Sequence, residues 1–227
     1  MMPSRRLVSG LAVTALALLL ATAPGPRAQA ATATPAANPQ VRVTTNLGEF
    51  TIELYPDRAP VTVVEFLKYV KEGQYTQTLV HRVVPGFLIQ AGGFAAADES
   101  VKPTHAPIPN ESGNGLQNKR GTVGLARTEA PHSGNCQFYV NLADNSELDP
   151  LPVRWGYAVF GRVIDGMDVV EHIGIVPTGA EGKFKTDAPL SHVIIEKIEL
   201  VGPGGVKADA PRQLAPAPTG NEVLSPN

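Results

Sequence analysis

The chain has 227 residues, of which 43% are hydrophobic and 18% are charged. This length suits one or two ordinary domains. Its 19 basic residues do not outnumber its 21 acidic ones, which argues against nucleic acid as a partner because no surplus of cations is left to neutralise phosphates. The single cysteine, Cys136, excludes an internal disulfide and is interpreted as a small buried hydrophobe.

The first 30 residues show the parts of a secretory signal peptide in their usual order. Arg5 and Arg6 form a basic start, residues 11–23 are apolar, and residues 28–30 (AQA) offer a cleavage site. The apolar run is shorter than the roughly 18 residues of a membrane-spanning helix, so we predict a cleaved signal rather than an anchor or a buried helix. Cleavage would remove three arginines, leaving 16 basic against 21 acidic residues. We therefore expect a periplasmic or secreted mature protein that is monomeric and not bound to membrane.

Composition divides the rest of the chain into three parts. Residues 31–40 are small, polar and proline-containing, and are interpreted as a linker. Residues 202–227 are rich in proline, alanine and glycine and lack apolar periodicity, which predicts a disordered tail. A single domain is predicted between them, over residues 41–201.

The predicted domain opens with a β-hairpin and a helix. Residues 41–45 and 50–54 alternate apolar and polar side chains on either side of a glycine-containing turn. Thr62, followed by Glu65, matches a capping box and predicts a helix start, and Gly73 predicts its end. One apolar stripe along this helix is formed by Val63, Phe66, Leu67 and Val70.

The remainder of the domain is mostly strand. With the opening hairpin, the predicted strands number eight, and a second short helix fits residues 166–173. Because strands and helices do not alternate, a closed antiparallel eight-stranded β-barrel capped by two α-helices is favoured over a parallel sheet. A long polar loop is expected over residues 95–120. The further strands are predicted at 79–84, 87–91, 122–126, 137–141, 157–163 and 193–200.

The strands at 79–84 and 87–91 contain one arginine and one glutamine in an otherwise apolar setting, and Pro85-Gly86 turns the chain between them. A two-residue loop would place Arg82 opposite Ile89. A three-residue loop instead places Arg82 opposite Gln90, on one face with Leu88, and we predict this register because it gathers both polar groups. A charged guanidinium among apolar side chains is costly unless something uses it.

A second strand offers an aromatic side chain to the same face. In residues 137–140 the alternation sends Gln137 and Tyr139 one way, and Phe138 and Val140 the other. This pattern predicts a binding face with a guanidinium, amides and apolar groups. An ordinary half-buried sheet with two solvated polar residues would show the same pattern, so both interpretations remain open on periodicity alone.

Three longer segments carry a family resemblance. The stretches VHRVVPGFLIQAGGF, GTVGLARTEAPHSGNCQFYVNLADNSELD and YAVFGRVIDGMDVVEHI resemble the cyclophilin family of peptidyl-prolyl cis-trans isomerases, in particular its exported bacterial members. The similarity covers residues 41–200. It implies an eight-stranded barrel with two helices, proline-containing unfolded or partly folded polypeptides as substrates, and no cofactor or metal.

The resemblance also implies a role for individual residues. The catalytic arginine of the family falls on Arg82, which would donate a hydrogen bond to the prolyl nitrogen as the peptide bond twists. Where the family usually has an aromatic residue, this chain has Glu147, which leaves open an alternative in which the domain binds proline segments like a chaperone with little turnover. The expected substrate-binding positions are Phe87, Leu88, Gln90, Ala126, Arg127, Thr128, Gln137, Tyr139, Leu148 and Tyr157.

Overall fold

Eight antiparallel strands close into a barrel in the computed structural model of the chain, which describes residues 37–202. Around the barrel they follow the order β1, β10, β3, β4, β6, β5, β7 and β2. The strands are β1 (Gln40–Thr45), β2 (Gly48–Leu54), β3 (Thr78–Val84), β4 (Leu88–Ala95), β5 (Thr122–Leu125), β6 (Phe138–Asn141), β7 (Val159–Asp165), β8 (Thr178–Glu181), β9 (Phe184–Pro189) and β10 (Ile194–Val201). The helices are α1 (Pro60–Lys71) and α2 (Met167–Ile173), with a short 3₁₀ turn at Ser146–Leu148.

The predicted fold class is confirmed, and the structure adds one hairpin to it. Strands β8 and β9 form a separate two-stranded sheet outside the barrel. This hairpin was not predicted, because the segment GAEGKFKTD is largely polar and shows no alternation of apolar residues. This hairpin packs against β3, the strand that carries Arg82.

The barrel interior is filled by the side chains that the period-two alternation placed there. Val83, Ile89, Phe138 and Val140 are all buried in one cluster. Both helices contribute to the same cluster, α1 through an aromatic side chain, Phe66, whose ring meets those of Tyr75, Phe138 and Phe160 at centroid distances of 5.1–5.7 Å. The opposite face of the β3, β4 and β6 sheet is therefore left for other contacts.

The predicted capping box at the start of α1 is wrong. The helix begins at Pro60, whose missing N–H and fixed φ suit the first helical position. The carboxylate of Glu111, in the loop after β4, accepts hydrogen bonds from the backbone N–H of Val61 (3.0 Å) and Thr62 (2.8 Å). Glu65 instead pairs with the ring of His105. A carboxylate from elsewhere in the chain thus caps the helix.

The ends of the chain were assigned from sequence alone. The predicted signal peptide at 1–30 and all but the first residue of the predicted tail at 202–227 lie outside the described residues, as does most of the linker. β1 begins at Gln40, within the range interpreted as linker. None of the helices in residues 37–202 is long and apolar enough to cross a membrane.

Candidate active site

The hairpin formed by β3 and β4 has the predicted register. Arg82 lies opposite Gln90, and Val84 lies opposite Leu88. The connecting turn is closed by a hydrogen bond from the Phe87 N–H to the Val84 carbonyl (3.0 Å). Its glycine, Gly86, adopts a φ of +71°, which a residue with a side chain rarely does. The turn chemistry thus brings arginine and glutamine to the same face.

This face lines a cavity of about 250 Å³. Its lining joins strands β3, β4 and β6 to the segments that follow β5 and precede β7. Of the eleven residues expected at the site, the structure brings nine together here. They are Arg82, Phe87, Leu88, Gln90, Ala126, Arg127, Tyr139, Leu148 and Tyr157.

The apolar part of the cavity is a small cluster separate from the barrel core. Leu88, Ala126 and Tyr139 are buried within it, and Phe87, Leu148 and Tyr157 pack against them. The Tyr139 ring lies directly over Gly124 of β5, where any side-chain carbon would overlap it. A glycine at this position therefore allows the aromatic wall to stand against the sheet.

A buried hydrogen-bond network of asparagines supports the aromatic wall that Tyr139 forms. Asn118 accepts a hydrogen bond from the Tyr139 hydroxyl (2.6 Å) and another from the amide of Asn141 (3.2 Å). The backbone N–H of Asn118 donates to the carboxylate of Asp149, next to Leu148 (2.7 Å). Burial raises the pKa of Tyr139 well above its ordinary value, so the phenol stays neutral. Sequence reasoning missed this network, because isolated asparagines in a loop carry no pattern.

Gln137 and Thr128 do not line the cavity. The amide of Gln90 donates to the side-chain oxygen of Gln137 (2.9 Å). Gln137 therefore supports Gln90 without lining the cavity itself. Thr128 bonds through both its N–H (2.9 Å) and its hydroxyl (2.8 Å) to Ser133. The N–H of Ala126, which was expected among the substrate-binding groups, already donates to the Gln137 carbonyl (2.9 Å).

Arg127 donates hydrogen bonds to the loop that precedes Tyr157. Its guanidinium donates to the carbonyls of Gly156 (3.0 Å), Trp155 (2.8 Å) and Thr128 (2.8 Å). It also lies 4.3 Å from the centroid of the Tyr157 ring, within range of a cation–π contact. The side chain thus has several partners and fixes one wall of the cavity.

Arg82 has a partner that sequence reasoning did not anticipate. Its Nε lies 3.5 Å from Oδ2 of Asp187, which belongs to the β8–β9 hairpin. The arginine side chain remains 38% exposed, so the guanidinium is in reach of solvent and of a ligand in the cavity. The β8–β9 hairpin was not predicted, so no sequence signal pointed to a contact between Asp187 and Arg82.

Glu147 and Trp155 both stand apart from the cavity. Glu147 is exposed on the 3₁₀ turn, and its carbonyl accepts from Arg154 (2.7 Å). Trp155 lines a neighbouring groove with residues 150–154 and touches the ring of His132. The charge at position 147 therefore lies outside the cavity lining and does not enter the apolar pocket.

Comparison with known proteins identifies the architecture. A sequence model of the family described as cyclophilin type peptidyl-prolyl cis-trans isomerase/CLD matches residues 40–200. The chain belongs to this family. The match covers the barrel strands except for the last residue of β10, and it covers every residue that lines the cavity. The chain is accordingly a peptidyl-prolyl cis-trans isomerase that acts on proline-containing peptides.

Individual relatives agree with this assignment. The chain is 48% identical over 159 residues to peptidyl-prolyl cis-trans isomerase B of Escherichia coli (strain K12), covering 69% of this chain and 96% of that protein. It is 39% identical over 198 residues to peptidyl-prolyl cis-trans isomerase A of Dickeya dadantii, covering 87% and 98%. A crystal structure of a cyclophilin-type isomerase from Cryptosporidium parvum shares the fold, with a TM-score of 0.59 at 24% identity, over 73% of this chain and 99% of that one.

Proposed function

We propose that this cyclophilin accelerates rotation about X–Pro bonds by donating a hydrogen bond from Arg82 to the prolyl nitrogen. The observation that carries the proposal is the position of Arg82, a partly exposed guanidinium that lines a cavity of about 250 Å³ together with an apolar cluster. This cavity is smaller than the roughly 300–1,000 Å³ clefts that hold drug-sized ligands. It is large enough for a proline ring and part of the flanking peptide, which Gln90 in its lining would contact.

The chemistry follows from the electronic structure of the amide. Rotation about a peptide bond has a barrier of about 18–20 kcal/mol because resonance must be broken. In the twisted state the prolyl nitrogen regains its lone pair, which accepts a hydrogen bond that neither planar form accepts. A donor aimed at this nitrogen therefore stabilises the transition state more than the ground states.

The surroundings of Arg82 support this role. Leu88 and Tyr139 are buried and Phe87 packs on them, so a bound proline ring would displace water and strengthen the electrostatic interaction. Gln90, fixed by Gln137 (2.9 Å), lies opposite Arg82 and would hold the flanking peptide while the other half turns. In this mechanism no proton is transferred and no covalent bond is broken.

We further propose that the clients are exported polypeptides that fold in the periplasm. The support is the order of basic start, apolar run and AQA site in residues 1–30. An isomerase would act there on chains whose X–Pro bonds otherwise need tens to hundreds of seconds to equilibrate.

The test is the Arg82→Ala variant in a protease-coupled isomerisation assay with an Ala-Pro peptide. We expect kcat/KM to fall at least about tenfold, because a hydrogen bond from a charged donor is worth about 1.5–3 kcal/mol. Arg42→Ala is the matched control. Arg42 is a barrel arginine paired with Glu49 (3.9 Å) with a similar side-chain exposure of 36%, and its loss should leave kcat/KM unchanged. Wild-type activity in a folded Arg82→Ala variant would disprove the role of Arg82.

The same assay addresses the alternative of chaperone-like binding with little turnover. That alternative is favoured by Glu147, whose charge occupies a position that is usually aromatic in the family. Because the residue is exposed and outside the cavity lining, we expect turnover to be retained. Suppressed aggregation of an unfolded client together with negligible isomerisation would favour the alternative.

A further inference from the structure

A carboxylate from outside the barrel reaches the arginine on the rim of the cavity. Asp187 Oδ2 lies 3.5 Å from Arg82 Nε, and the two side chains are 42% and 38% exposed. Asp187 belongs to β9, which pairs with β8 in a sheet of its own. An ion pair this exposed contributes little to stability, so its place beside the cavity calls for another explanation.

The backbone at Asp187 is shaped to present this side chain. Asp187 has a φ of +59°, in the left-handed region that aspartate and asparagine tolerate better than most residues. The hairpin register shifts between Gly179, which pairs with Ala188, and Glu181, which pairs with Phe184. Three residues of β9 therefore face one residue of β8, and a bulge of this kind redirects a side chain.

The hairpin that contains the bulge packs against β3 and β4. The ring of Phe184 contacts those of His81 and Phe94, at centroid distances of 5.8 and 5.1 Å. The Lys183 N–H donates to the carboxylate of Glu99 (2.8 Å), which ties the hairpin tip to the loop after β4. The hairpin is thus anchored to β3 and β4, the strands that carry Arg82 and Gln90, and it holds Asp187 at a fixed place relative to them.

We propose that Asp187 is a positioning residue for Arg82, an inference that rests on the proposed role of Arg82 in catalysis. By engaging Nε, the carboxylate restricts a long side chain that otherwise samples many rotamers. Because the contact is made by Nε, it leaves the two terminal amino groups for a ligand in the cavity that Arg82 lines. A guanidinium that is already in place loses less entropy when it meets the twisted amide. Asp187 should therefore raise kcat.

The test is Asp187→Asn, measured on the full chain with an Ala-Pro peptide. Asparagine keeps the size of the side chain and tolerates the positive φ, while it removes the charge and replaces one carboxylate oxygen by an NH2 group. We expect kcat to fall about three- to tenfold, within the range found for coupled neighbours, while KM and the midpoint of thermal unfolding stay close to the wild-type values. Glu49→Gln is the matched control, because it breaks another exposed arginine–carboxylate pair, and kcat should not change.

A double-mutant cycle separates positioning from a general structural effect. If Asp187 acts through Arg82, adding Asp187→Asn to the Arg82→Ala variant causes no further loss of kcat/KM. An equal fold-loss in both backgrounds, or an unchanged kcat in the single variant, would overturn the inference. Wild-type activity in Arg82→Ala would instead overturn the proposed function, so the two failures are distinguishable.

Discussion

Two adjacent residues of β3, at an irregularity in its pairing with β4 between Val80 and Arg82, have different surroundings. The Arg82 side chain is partly exposed at the cavity rim. His81 is 8% exposed, and its ring packs against those of Phe94 (4.6 Å) and Phe184 (5.8 Å), the latter in the β8–β9 hairpin. Within residues 37–202, no hydrogen-bond partner faces its Nδ1. Burial lowers the pKa of His81 from 6.5 to about 4, so the imidazole is neutral in the folded protein at neutral pH.

This burial predicts a loss of stability in acid. Between pH 6.5 and about 4 the unfolded chain binds a proton at His81 that the folded chain does not. The free energy of unfolding therefore falls as the pH drops through this window, by about 3 kcal/mol from this group. Urea unfolding of wild type and His81→Phe at a series of pH values isolates the contribution. Parallel curves for the two proteins would contradict the buried neutral state.

At the scale of elements, the long loop between β4 and β5 contacts both helix α1 and the aromatic wall of the cavity. Its Glu111 caps α1, and its His105 N–H donates to the hydroxyl of Tyr69 in the same helix (2.8 Å). Further along, Asn118 supports the aromatic wall of the cavity. The loop thus links the helix that packs into the barrel to the wall of the cavity, which explains a connection longer than most.

The cap predicts a measurable contribution of Glu111 to stability. Glu111→Ala leaves the first backbone N–H groups of α1 without their carboxylate, and removes a negative charge from the positive end of the helix. We expect the free energy of unfolding to fall by about 1–2 kcal/mol. For Glu111→Gln we expect a smaller decrease in the free energy of unfolding, because an amide oxygen still accepts hydrogen bonds. Denaturant unfolding measures both variants, and an Ala variant as stable as wild type would show that the contact contributes nothing.

At the scale of the whole molecule, closure of the barrel depends on its last strand. β10 pairs with both β1 and β3, so residues from the two ends of the domain lie side by side. Closure leaves the barrel itself without an open edge at which another chain could pair. The single cysteine is buried, so the core stabilises the domain without a disulfide.

The N-terminal sequence predicts processing on export. After expression of the full chain in a Gram-negative bacterium, we expect the periplasmic fraction to contain a product that begins at Ala31. Intact mass of the fractionated protein measures this directly. Leucine at both Ala28 and Ala30 should block cleavage, because the cleavage site requires small residues. Recovery of the uncleaved chain in the cytoplasm would contradict export.

The sequence by itself determined the barrel and the polar face of its β3–β4 hairpin. Alternation separates Val83 from Arg82, and the turn at Pro85-Gly86 sets the register, because both depend on residues close together in the chain. Only the tertiary structure decided that Asp187 meets Arg82, that Glu111 caps α1 and that Asn118 supports Tyr139. These contacts join segments distant in sequence, and a single ion pair or hydrogen bond leaves no periodic trace along the chain.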